Sequence, residues 1–140
     1  MVEWFAVGSA PWLGTDAIDR AIEQIVILHR ANGGSTFNLF LGDLSRRHLY
    51  AVSSYPDRCV VVAGRTVSVA LLRRFVVANL DLLIDPRNSV GTWFDPATGR
   101  THLDVSTTVA NRDDALDLGR RHQQVSIFSL AARSADPARE

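Results

Sequence analysis

The residues best suited to chemistry lie in one short stretch. Ser89-Val90-Gly91-Thr92-Trp93-Phe94 is followed by Asp95-Pro96-Ala97-Thr98-Gly99-Arg100, then by Thr101-His102-Leu103-Asp104-Val105. Pro96 presets φ for a turn and Gly99 supplies a positive φ, so the stretch reads as a β-hairpin. If Pro96 to Gly99 form the loop, Asp95 sits opposite Arg100, Trp93 opposite His102 and Gly91 opposite Asp104. Side chains alternate between the faces of a strand. One face then collects Val90, Phe94, Leu103 and Val105 and belongs to the core. The other collects Trp93, Asp95, Arg100, His102 and Asp104, with Gly91 leaving space beside Asp104.

Two kinds of chemistry fit that second face. His102 and Asp104, two residues apart on a strand, could orient a base or supply two metal ligands, and Asp95 would add a carboxylate. That combination suits metal-assisted hydrolysis. The remaining histidines, His29, His48 and His122, fall in no ligand spacing, so no metal and no cofactor are expected. Alternatively, Trp93, Arg100 and His102 form a contact surface for another protein. An unspecialised sheet face with Trp–His and Asp–Arg cross-strand pairs would carry the same residues.

Three basic clusters offer a different chemistry: Arg46-Arg47-His48, Arg73-Arg74 and Arg120-Arg121-His122. Brought together, these arginines could grip phosphates. The whole chain opposes this, because fifteen basic residues balance fifteen acidic ones and all the basic ones are Arg. A neutral chain lacks the field of a dedicated nucleic-acid binder. Nucleic acid is therefore a possible but not a favoured partner. Cys59 is the single cysteine. It opens a valine run that reads as buried, which suits a small hydrophobe rather than a nucleophile. Asn32-Gly33-Gly34-Ser35 follows a helix and precedes a strand, the reverse of a phosphate loop. No GxSxG, HExxH or CxxC pattern occurs.

The elements that must position these groups are also readable. Thr15 is a plausible N-cap for a first helix, with Ile18, Ile22, Ile25, Val26 and Leu28 as its apolar stripe and Gly33 as its stop. Phe37, Leu39 and Leu41 alternate as a strand, Leu49 to Ser53 reads as a second, and Cys59 to Ala63 as a third, buried strand. A second helix is predicted over residues 68–84, with Pro86 as its stop. A short polar helix over 112–122 and a last strand around Val125, Ile127 and Leu130 complete the set. Trp4, Phe5 and Trp12 suggest that residues 1–14 form a strand or ordered arm docked on the core or on a second copy.

With 140 residues, 46% of them hydrophobic, the chain can build one core without disulfides. The expected architecture is α+β, a mainly antiparallel sheet with about three helices packed on one face in a two-layer sandwich. One domain is expected over residues 1–132, with a disordered tail over 133–140. Lone cysteine usage, no basic leader and no long apolar run point to the cytoplasm and away from a membrane.

The segments Asn79-Leu80-Asp81-Leu82-Leu83, Val90-Gly91-Thr92-Trp93, Thr101-His102-Leu103-Asp104-Val105-Ser106, Ala115-Leu116 and Gln124 to Leu130 carry a resemblance. Together with Pro86 and Asp113, they resemble small uncharacterised proteins of actinobacteria and their phages or mobile elements. The likeness spans about the last two thirds of the chain. It implies an accessory or interaction protein and brings no catalytic residue. The sequence thus points first to a non-enzymatic interaction or regulatory domain whose partner is itself, as a homodimer, or another protein. A metal-assisted hydrolase is the second reading and a nucleic-acid-binding accessory protein the third.

Overall fold

The computed structural model describes residues 14–121, 126–130 and 134–137. The expected N-terminal arm lies outside them. Helix α1 (Thr15–Asn32) buries Ala21, Ile22, Ile25 and His29, positions that recur at helical spacing. Gly14, rather than Thr15, is its N-cap, and Gly33 ends it at φ 76°, where the left-handed conformation favours glycine.

Strand β1 (Gly34–Asn38) follows at once, turns through residues 39–41 and returns as the two-residue β2 (Gly42–Asp43). Leu39 and Leu41 therefore do not extend the strand, and Leu41 is exposed. The reason is Asn38. Its Oδ1 accepts from the N–H groups of Phe40 and Leu41, which closes a side-chain turn in place of the ladder. Next come β3 (Tyr50–Ser53), a 3-10 turn (Pro56–Arg58) and β4 (Val60–Ala63). The predicted second helix is broken in two, α2 (Val69–Ala78) and α3 (Leu80–Leu83). At the break Asn79 turns its amide back to the Phe75 carbonyl, 2.8 Å away, while its Oδ1 accepts from Arg58 Nη1 at 2.9 Å. Ser68 caps α2 by accepting from the Leu71 N–H, as expected.

The hairpin of β5 (Asn88–Asp95) and β6 (Arg100–Val109) forms the centre of the sheet. It is followed by α4 (Arg112–Arg121), then β7 (Ser126–Ser129) and β8 (Ser134–Pro137). The last of these pairs with β7, within the segment expected to be disordered. Every pairing is antiparallel, in the order β2-β1-β5-β6-β3-β7-β8, with β4 also on β6.

The fold is α+β. Phe37, Val90, Leu103 and Val105 come from one sheet face and pack under α1, α2 and α3 with Ile22, Ile25, Leu72, Phe75, Val76 and Leu83. A smaller cluster places Ala115 and Leu116 of α4 over Val52 on the same face. The helices thus share one face of the sheet, here called inner. No helix among the described residues is long and apolar enough to cross a membrane.

One strand departs from its sequence reading. The Val60–Ala63 run is not buried: Val60 is 37% and Val61 45% exposed. Strand β6 is longer than its neighbours on that side. Its outer half, Arg100 to Leu103, pairs with β4, and its inner half, Ser106 to Val109, pairs with β3. Strand β4 is therefore a short flank on β6. Among the described residues it has no ladder partner on its other side.

Candidate functional site

The hairpin turn is built by its own residues. Asp95 Oδ1 accepts from the Ala97 N–H at 3.0 Å, and Oδ2 accepts from the Thr98 hydroxyl at 3.1 Å. The Gly99 N–H donates to the Asp95 carbonyl at 2.8 Å, with Gly99 at φ 70°. The resulting register sets Asp95 opposite Arg100, Trp93 opposite His102 and Gly91 opposite Asp104. Each pair is the one the sequence implied. Both Asp95 oxygens are engaged by the turn, so this residue shapes the loop.

Outward from the helices, a single row crosses three strands. Val61 of β4 is opposite His102 of β6, which is opposite Trp93 of β5. The Trp93 and His102 rings lie 5.0 Å apart at 40°, a tilted aromatic contact. Trp93 is 50% exposed. Arg100 is exposed near the turn.

Asp104 shares this face but does something else. Its carboxylate lies over Gly91, where an added Cβ would collide with Oδ1 and crowd the Ser106 hydroxyl. Ser106 Oγ donates to Oδ1 at 2.9 Å, and Ser53 supplies a second hydrogen bond. Part of the residue reaches the surface, yet the carboxylate is enclosed. Burial raises its pKa, and the Ser106 hydrogen bond and then the nearby His102 oppose the rise. Cys59 is half-buried close by. Burial and then the Asp104 charge push its thiol up, which favours the protonated form.

The inner face of the same hairpin holds a group that sequence reasoning missed. His29, on α1, is 2% exposed. Its Nε2 is 2.8 Å from the Arg65 carbonyl, which can only accept, so Nε2 carries the proton. Its Nδ1 then accepts from the Thr92 hydroxyl at 2.9 Å, and Thr92 in turn accepts from Ser35 at 2.7 Å. Every member of this chain is satisfied. A histidine four positions from Ile25 on the buried stripe was the available signal.

The other candidates are dispersed. Arg46 and Arg47 sit in the loop after β2, Arg73 and Arg74 on α2, and Arg120 and Arg121 in the last turn of α4. Arg73 pairs with Asp19 at 2.7 Å and Arg121 with Asp117 at 3.4 Å. No group of three or more His, Cys, Asp or Glu side chains among the described residues could hold a metal. His102 and Asp104 are adjacent on the face but do not gain a third ligand there. No family model, curated protein or solved structure matches the chain.

Proposed function

We propose that the protein is a non-enzymatic interaction or regulatory domain that associates with a second copy of itself through the outer row of Trp93, His102 and Val61. The observation that carries this reading is the row itself. It joins an indole that is 50% exposed to a valine that is 45% exposed, on a sheet face the helices leave uncovered. Exposed aromatic and aliphatic side chains side by side mark contact surfaces, with Trp a frequent anchor.

The hydrolytic reading has less support, because Asp95 is taken up by its turn and Asp104 by Ser106 and Ser53. Nucleic-acid binding has less support because the arginine clusters sit on separate elements and two of them are paired with carboxylates. A cytoplasmic setting suits a chain whose single cysteine allows no intrachain disulfide.

Sedimentation velocity on the full chain tests the proposal. The wild type is expected to show a concentration-dependent dimer, and the double variant Trp93→Ala/Val61→Lys a monomer. A strict monomer at every concentration, indistinguishable from the double variant, overturns it.

A further inference from the structure

Strand β4 is the place where this outer row reaches an open edge. Its four residues, Val60-Val61-Val62-Ala63, contain no charge and no proline, the devices that normally protect an edge from pairing. Which backbone groups face outward follows from the ladder. The Gly64 N–H donates to the Gly99 carbonyl at 2.8 Å, continuing the register that pairs Val60 with Leu103. Hydrogen-bonded positions alternate along an antiparallel strand. Residues 60, 62 and 64 therefore bond toward β6, and Val61 and Ala63 aim their N–H and C=O groups away from it.

We infer that a second copy of the chain adds to this edge, β4 against β4 in antiparallel pairing, with the two-fold axis at Val61. The inference rests on the self-association reading above and specifies its geometry. A two-fold axis normal to the sheet keeps outer faces together and must pair outward-pointing residues with one another, which it does when centred on Val61 or on Val62. Centring on Val61 sets Val61 against Val61 and continues the outer row through large side chains, whereas centring on Val62 sets Val61 against Ala63 and breaks that row. Val61 then exchanges both of its hydrogen bonds with Val61 of the second copy. The Ala63 N–H of each copy donates to the Cys59 carbonyl of the other, while the Cys59 N–H stays on the Pro56 carbonyl of its own chain at 3.3 Å.

Two further features agree with this register. Asp57, just before β4, and Arg65, just after it, are both exposed. The pairing brings the Asp57 end of one copy to the Arg65 end of the other; in the single copy the Arg65 guanidinium rests on the Arg30 carbonyl and over Phe94, and it meets Asp57 by turning to the edge. The outer rows also join. Trp93, His102 and Val61 of one copy run into Val61, His102 and Trp93 of the second, giving one uninterrupted strip across six strands. On the inner side Val60 faces Val62 of the second copy. An open cleft of about 800 Å³ beside Val60, lined by Leu71, Arg74, Phe75 and Val77, leaves room for these side chains.

Substitutions at Val61 test the geometry by sedimentation of the full chain. Val61→Pro removes only an outward donor and is tolerated by an edge strand. It takes one hydrogen bond from each copy and is expected to raise the dimer dissociation constant by roughly tenfold to a hundredfold. Should that variant fold poorly, Val61→Lys keeps the backbone and sets like charges directly opposite, with the same expected loss. In a Cys59→Ser background, Val61→Cys is expected to form an intermolecular disulfide on mild oxidation, and Val62→Cys is not. Cα atoms of a hydrogen-bonded antiparallel pair lie about 5.5 Å apart, within disulfide reach. A dimer that Trp93→Ala dissolves and Val61→Pro leaves intact, without a Val61→Cys crosslink, overturns the edge geometry and leaves the self-association reading standing. A strict monomer overturns both.

Discussion

The β5–β6 hairpin carries one histidine against each of its faces, and the two are used in opposite ways. On the inner face His29 is 2% exposed, its Nε2–H donating to the Arg65 carbonyl and its Nδ1 accepting from the Thr92 hydroxyl. On the outer face His102 stacks on a half-exposed Trp93 and is part of the surface. The strands are the same; what differs is the cover. Helix α1 lies over the inner face and delivers His29 to Thr92, so that face closes around its polar groups. Among the described residues the outer face carries no helix, so its aromatic pair is left partly exposed. A residue's type therefore says little about its role until its face is known.

The largest expected effect that would sharpen this contrast is on the inner side. His29→Ala empties a buried site and leaves the Arg65 carbonyl and Thr92 hydroxyl short of a partner. A stability loss of about 2–4 kcal/mol at pH 7 is expected from urea unfolding. The pH dependence has a definite sign. Burial holds the His29 pKa below its ordinary value of 6.5, with the Arg65 charge acting the same way and the Arg65 carbonyl opposing it. The folded state thus binds a proton less readily than the unfolded one. Stability from this group is complete above about pH 6.5 and is lost as pH falls toward the folded-state pKa. His29→Ala should flatten that acid-side slope, and an unchanged slope would place its origin elsewhere. Asp104 on the outer face tilts the other way. Its raised pKa means its contribution is greatest below the ordinary carboxylate value of 3.8 and is lost as pH rises through the folded-state pKa.

An intermediate effect is expected at Gly91, where the outer face is as tightly packed as the inner. A Cβ there would collide with the Asp104 carboxylate. Gly91→Ala should cost about 1–3 kcal/mol. Because the obstacle is that side chain rather than backbone, the cost should shrink markedly in an Asp104→Ala background. Additive losses in the double-mutant cycle would show that Gly91 is needed for some other reason, and would make the outer face less closely built than its inner counterpart.

How far the sequence reveals this arrangement depends on whether a signal is local. The hairpin register was legible because Pro96 and Gly99 fix the loop length, and loop length fixes every cross-strand pair. Trp93 beside His102 and Gly91 under Asp104 follow from that alone. The core face followed in part, with Val90, Leu103 and Val105 fully buried, whereas Phe94 is half-buried beneath the Arg65 guanidinium at the end of the face. The valine run at 60–63 was misread because period and hydrophobicity cannot separate a central strand from an edge one. The difference lies in β6, which is shared end to end by β3 and β4, and that is a tertiary fact. The break of the second helix at Asn79 has the same character, since Arg58 and Asp81 meet there from distant parts of the chain at 2.9 Å. That Asp95 bonds its own turn was not legible, because a carboxylate in a hairpin serves a turn and a reaction equally well on paper. His29 was passed over because it stands alone on an apolar stripe, and its partners come from residues 65 and 92.

The smallest effect probes the outer face by itself. Trp93 and His102 are a directly opposed cross-strand pair with rings 5.0 Å apart. Such a pair couples by about 0.2–1 kcal/mol. Trp93→Ala, His102→Ala and the double variant, measured by urea unfolding at concentrations where the chain is monomeric, should give a coupling in that range. Each single loss should be small, because a half-exposed indole returns only part of its area to water. Coupling beyond the range would mean that the outer pair holds the monomer together as His29 does on the inner side. The two faces would then differ in exposure but not in role, and the surface offered to a partner would have to be sought at Val61 and the edge it occupies.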